Sequence, residues 1–146
     1  MGSLPFVPKE KLPDNLPNGE TCPPQGAEQI SGLYVRLVDG PTASNDCFSS
    51  FNAQGKENKR KVSPCTWAAC SLVVWDEEWV DGPEARVRDF AIAAGVFKYK
   101  KYGAIISVNP HDGVGYRGSE ESPHVSFWMS EDFDPEQSLV KIVSLA

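Results

Sequence analysis

The sequence predicts an α+β domain: a mostly antiparallel sheet of about five to six strands with two helices on one face, preceded by a proline-rich arm. Three observations predict it. Strand-like and helix-like segments alternate early, and strand-like segments joined by turn chemistry follow late. Six of the twelve prolines crowd into residues 1–28. No Gly-x-Gly-x-x-Gly follows a strand and opens a helix, which disfavours a doubly wound nucleotide fold.

Each element has its own reason. Residues 1–28 carry Pro5, Pro8, Pro13, Pro17, Pro23 and Pro24, and proline removes backbone donors, so this stretch reads as an extended arm. Residues 29–146 read as a single α+β domain. Gly32–Val38 alternates large apolar residues and ends at Asp39-Gly40-Pro41, which marks a first strand. Thr42 or Ser44 can cap a short helix over about Asn45 to Gln54, with Cys47, Phe48 and Phe51 on one face. Ala69–Trp75 is a short β-branched apolar run, hence a buried strand.

Pro83 suits the first turn of a second helix, on which Val87, Phe90, Ala91 and Ala94 form one stripe and Gly95 marks the end. Gly103–Val108 is a strand. Asn109-Pro110-His111-Asp112-Gly113 is turn chemistry, after which Val114–Arg117 returns as a hairpin partner. His124–Met129 alternates, with Val125, Phe127 and Met129 on one side and His124, Ser126 and Trp128 on the other. Leu139–Leu145 is a last strand.

Composition narrows the class. The chain of 146 residues fits one domain and is long enough to bury a core. A net charge of -6 weighs against nucleic acid as the main partner. No run approaches the ~18 apolar residues of a membrane helix, and residues 1–11 lack a secretory apolar region. The four cysteines, Cys22, Cys47, Cys65 and Cys70, are expected to be free buried thiols in a reducing, cytoplasmic setting; in an oxidising one they allow two bridges in three connectivities. Their spacing does not suit a zinc site, and no metal or cofactor is expected.

The candidate chemistry lies mostly late in the chain. The only two histidines, His111 and His124, share a stretch with Asp112, Arg117, Glu120 and Glu121. His124-Val125-Ser126-Phe127 has the form His-x-Ser-x on a strand and resembles half of the signature of the 2H phosphoesterases. That resemblance implies histidines acting as acid and base, with hydroxyls holding a phosphate. His111-Asp112-Gly113-Val114 offers no second motif of that form. Arg36 with Ser49, Ser50, Glu120 and Glu121 resembles the Arg, Ser, Glu order of ADP-ribosyltransferases, in which arginine and serine position NAD and a glutamate polarises the ribose. Here the two glutamates are adjacent, so on a strand they would point to opposite faces.

Two surface features suit binding. Lys98-Tyr99-Lys100-Lys101-Tyr102 interleaves cations with aromatics and, with Lys56–Lys61, could hold an anionic partner, nucleic acid included. Trp75 and Trp79 bracket the acidic turn Asp76-Glu77-Glu78, and Trp79, if exposed, would mark a docking surface. The layout of Leu33–Val38, Asp46–Ser50 with Gly55-Lys56, Ala69–Trp75 and His124–Trp128 is similar to that of small uncharacterised bacterial proteins, which implies a bacterial origin and no activity.

The sequence therefore reads as a small soluble binding or interaction module with a protein partner, rather than an enzyme. The rival reading is an enzyme acting on a phosphate ester or nucleotide, with His124, Ser126, His111, Arg117, Arg36 and Glu120 as its candidates. A third reading is nucleic-acid binding through Lys98, Lys100 and Lys101.

Overall fold

The structure, a computed structural model, describes residues 8, 12, 21–24, 26–41, 48, 64–80, 82–117 and 122–146. Its elements are β1 (Glu28–Gln29), β2 (Gly32–Val38), α1 (Pro64–Trp67), β3 (Cys70–Val74), α2 (Pro83–Ala93), β4 (Tyr102–Val108), β5 (Gly113–Tyr116), β6 (His124–Met129), α3 (Pro135–Ser138) and β7 (Leu139–Ser144), with a 3-10 turn over Pro110–Asp112. The class is α+β, and the sheet has seven strands in the order β1-β5-β6-β3-β2-β4-β7, all pairs antiparallel.

The strand count exceeds expectation because Glu28–Gln29, at the junction of the expected arm and domain, pairs with β5. Pro8 also makes an isolated bridge to Ser130. Most of the rest of the arm, and the expected helix over 45–54, lie outside the described residues; Phe48 is buried.

Of the two expected helices, α2 covers one face of the sheet, and the helix over 45–54 lies outside the described residues. The sheet is buried on both sides, and the alternation of each strand decides which side chains go where. One face carries Cys70, Leu72, Val125, Phe127, Ala104 and Ile106, covered by Phe48 and Phe133. Phe133 precedes α3 and stands edge-on to Phe127 at 5.4 Å. The opposite face carries Val35, Leu37, Val73 and Ile105, packed against Val87 and Ala91 of α2. Each fully buried Leu, Ile or Phe here contributes roughly 1.5–3 kcal/mol. Helix α2 begins at Pro83 and gives way at Gly95, whose φ of 75° is the left-handed geometry that favours glycine after a helix.

The turn after β4 does not return as a hairpin onto it. Asn109 and Asp112 cap each other across the 3-10 turn, the Asn109 amide donating to Asp112 Oδ2 at 2.8 Å. The chain then crosses to the far side of the sheet, where β5 pairs with β6 and β1, while β4 pairs with β2 and β7. The sheet edge that β5 leaves on β4 is filled by the last strand of the chain.

The expectation of four free thiols is corrected. Cys22 and Cys65 form a disulfide with a Cα–Cα distance of 5.4 Å. Spacing along the chain could not select this pair, because it depends on where α1 lies. Cys70 is a buried thiol on β3, and Cys47 lies outside the described residues.

Candidate functional site

The ladder between β2 and β3 is short, and that shortness makes the site. Strand β2 pairs with β4 along all of Gly32–Val38, but with β3 only at Tyr34–Val74 and Val35–Val73. Beyond Val35 the two central strands part. The Val74 amide donates toward β6, to the Pro123 carbonyl, at 2.9 Å. By alternation the Ser71 carbonyl points the other way, into the parting. Arg36 meets it there: Nη1 donates to the Ser71 carbonyl oxygen at 3.0 Å. Arg36 is only 5% exposed, so a guanidinium stands in for the missing rung of the ladder.

A cavity of about 180 Å³ opens at this parting. Its sheet side presents Ser71 of β3 and His124 and Ser126 of β6, with Arg36 in the split. Thr66 and Trp67 of α1 close one side; Phe90 and Ala94, with Val96 and Lys100 of the following turn, close the other. Phe90 and Ala94, on the expected stripe of α2, are half-buried and form pocket wall, and Phe90 also packs against the core cluster on this face. Two cations line the cavity, and no Asp or Glu does among the described residues.

Ser71 and His124 are bonded to each other. Ser71 Oγ lies 2.7 Å from His124 Nε2. Register explains the reach: Ser71 is directly opposite Ser126, and Val73 is opposite His124. Ser71 and His124 are therefore diagonal neighbours on one face, a separation that an imidazole spans. The ring stacks on Phe90 of α2, with centroids 5.8 Å apart and planes at 20°. The His124 amide donates to Ser122 Oγ at 3.3 Å, fixing the start of the strand. With its proton on Nδ1, the ring accepts the Ser71 hydroxyl proton at Nε2.

Helix α1 is held in place twice. Cys65 carries the disulfide to Cys22, and its carbonyl oxygen accepts from Trp128 Nε1 at 3.0 Å. The short wall bearing Thr66 and Trp67 is thus tied to both the N-terminal segment and β6.

The structure brings together His124, Ser126, Arg36 and Lys100 of the expected site residues, and it separates the others. His111 is exposed and lines a different cavity with Asp112, Asp132 and Asp134. The opposed histidine pair of the 2H phosphoesterase resemblance is therefore not assembled from His111 and His124. Arg117 is exposed, and its Nε donates to the Ser122 carbonyl at 2.7 Å. Its charge acts on Tyr34, whose side chain packs with the cluster on the face opposite the cavity. Glu120, Glu121, Ser49 and Ser50 lie outside the described residues.

The basic aromatic stretch does not present itself as one row. Lys98 sits over the Tyr99 ring at 5.0 Å and Lys101 over Phe97 at 6.0 Å, while Lys100 turns to the cavity. Tyr99 is 67% exposed, and Lys56–Lys61 lie outside the described residues. Trp79 is half-buried with the Arg86 guanidinium 4.8 Å from its ring centre, so it is not the open docking ring that the sequence suggested.

Ser71 was missed by the sequence. Its neighbours Cys70 and Leu72 form no nucleophile motif, and its histidine is 53 positions away. Only the β3–β6 register joins them. Among the described residues no helix is long and apolar enough to cross a membrane, and no group of three or more His, Cys, Asp or Glu side chains is placed to hold a metal. The chain matches no protein-family model, and comparison with the curated proteins and with the solved structures found no match.

Proposed function

We propose that this protein binds a small phosphate-bearing molecule in the cavity at the β2–β3 parting. One observation carries the reading: Arg36, Lys100, Ser71, Ser126 and Thr66 converge on one cavity with no carboxylate among its described lining residues. Guanidinium and ammonium groups match the charge of a phosphate, and hydroxyls supply further donors to its oxygens. The cavity walls are otherwise apolar, with Phe90, Val96 and Trp67 available to the rest of the ligand. At about 180 Å³ the space is below the roughly 300–1,000 Å³ of a drug-sized site, which favours a phosphate with a compact organic group.

This reading keeps the binding module expected from the sequence and gives it the ligand class of the phosphate-ester alternative. The Cys22–Cys65 disulfide favours an oxidising compartment over the expected reducing cytoplasm.

Calorimetric titration with phenyl phosphate and, separately, phenol tests the reading. Phenyl phosphate is expected to bind and phenol to bind at least about tenfold more weakly, the cost of losing one charged hydrogen bond or more. Lys100→Ala is expected to weaken phenyl phosphate by a similar factor. Equal affinity for the two ligands, or no effect of K100A, overturns it.

A further inference from the structure

We propose that Ser71 is a nucleophile activated by His124, and that the cavity hydrolyses small phosphate monoesters through a phosphoserine intermediate. This rests on the cavity's taking a phosphate, as argued above.

Serine is a weak nucleophile until a base accepts its proton, and the base must lie within hydrogen-bond reach. Ser71 Oγ meets that condition with His124 Nε2 at 2.7 Å. The base is itself oriented: its ring lies on Phe90 at 5.8 Å and near-parallel, and its backbone is pinned by Ser122. Both reacting side chains stand on paired strands of the sheet rather than on loops, which holds their geometry. Ser126, directly opposite Ser71, places a second hydroxyl beside the first.

The cations supply the other requirement. Charge on the non-bridging oxygens of a phosphoryl group must be neutralised as it transfers. Arg36 reaches the Ser71 peptide itself, and Lys100 enters from the turn after α2.

The step balances without a further reactant than water. Ser71 Oγ gives its proton to His124 Nε2 and bonds to phosphorus. The ester P–O bond breaks on the side of phosphorus away from Oγ, and the departing alcohol oxygen takes a proton from water there. The hydroxide so formed bonds to phosphorus from that side. The Oγ–P bond breaks, Oγ recovers its proton from the imidazolium, and orthophosphate leaves. The leaving alcohol occupies the apolar side of the cavity at Phe90 and Val96.

The test uses the disulfide-intact protein with p-nitrophenyl phosphate, reading p-nitrophenolate release and, after acid quench, the mass of the chain. Turnover and one phosphoryl group on Ser71 are expected. Ser71→Ala is expected to lower turnover on the order of a thousandfold or more, while phenyl phosphate affinity stays within about tenfold, the limit for one neutral hydrogen bond. His124→Gln gives the same split should S71A fail to fold. Phenyl phosphate binding by the wild type with neither turnover nor phosphoserine overturns this inference and leaves the binding reading standing. Turnover that survives S71A also overturns it, as does Ser71-dependent cleavage of p-nitrophenyl acetate in place of the phosphate. Absence of phenyl phosphate binding removes the binding reading and this inference together.

Discussion

Arg36 Nη1 holds the Ser71 carbonyl oxygen at 3.0 Å across the point where β2 and β3 separate. A sheet that parts in its middle exposes backbone groups that the ladder would otherwise satisfy. The guanidinium solves that locally, and its fork carries further donors. The same residue thus closes a structural gap and lends its charge to the cavity that the gap creates.

Replacing Arg36 tests this dual role. Arg36→Met keeps the apolar stem but leaves the Ser71 carbonyl without its donor, for an expected loss of about 1–3 kcal/mol. Arg36→Lys is expected to recover only part of this, because an ammonium on a flexible stem lacks the planar fork. Urea unfolding of the two variants beside the wild type measures both. Unchanged midpoints would show that the rung at Ser71 is dispensable.

Much of the fold was legible because it depends on local pattern. The alternation of Gly32–Val38 and His124–Met129 located β2 and β6 to the residue, and the Pro83 and Gly95 signals bracketed α2. Partner choice was not legible. Val114–Arg117 looked like a return onto β4, yet β5 pairs with β6, because register between distant strands is settled by tertiary packing. The site divided along the same line. His124 and Ser126 were legible as a two-residue repeat on one face. Ser71, Thr66 and the role of Arg36 depend on the β3–β6 register and on the early end of the β2–β3 ladder, neither of which leaves a mark in the neighbouring sequence.

The disulfide yields a prediction about stability. It closes a separation of 43 residues, and constraining a loop of that length removes unfolded-chain entropy equivalent to about 4 kcal/mol at most. The C22S/C65S double variant is expected to melt well below the wild type, and reductant to lower the wild-type Tm while leaving the double variant unmoved. Because Cys65 anchors α1, phenyl phosphate affinity is expected to fall with it. Thermal unfolding with and without dithiothreitol checks the first expectation, and calorimetry the second.

Gly113 opens β5 in close approach to the Trp128 backbone. A β-carbon there would collide with the Trp128 carbonyl oxygen and stand 2.8 Å from the Phe127 ring, and the φ of 157° is itself strained for other residues. Neither obstacle can move cheaply, since one is backbone and the other is a core ring that packs on Phe133. Gly113→Ala is expected to cost about 1–3 kcal/mol or more, as overpacking does. Gly40→Ala, with nothing within 4 Å of its would-be β-carbon, is the control expected to leave the midpoint nearly unchanged. Equal denaturation midpoints for the two variants would contradict the close approach.

Tyr34 makes the alkaline limit of stability readable. Burial pushes its hydroxyl above the ordinary phenol value of 10.0, and the Arg117 charge pulls partly back. The folded chain therefore keeps a proton that the unfolded chain has released once the pH passes about 10. With fewer protons on the unfolded state, stability falls as pH rises through that window, and the contribution is fully present below it. Tyr34→Phe removes the titrating group, so the difference in unfolding free energy between wild type and Y34F is expected to be flat up to about pH 10 and to move in favour of Y34F above it. Arg117→Ala removes the opposing charge and is expected to shift the Tyr34 titration further upward, seen as delayed phenolate absorbance against the Y34F baseline. A wild-type minus Y34F difference that stays constant across pH 9 to 12 would show that Tyr34 ionises alike in the folded and unfolded chain.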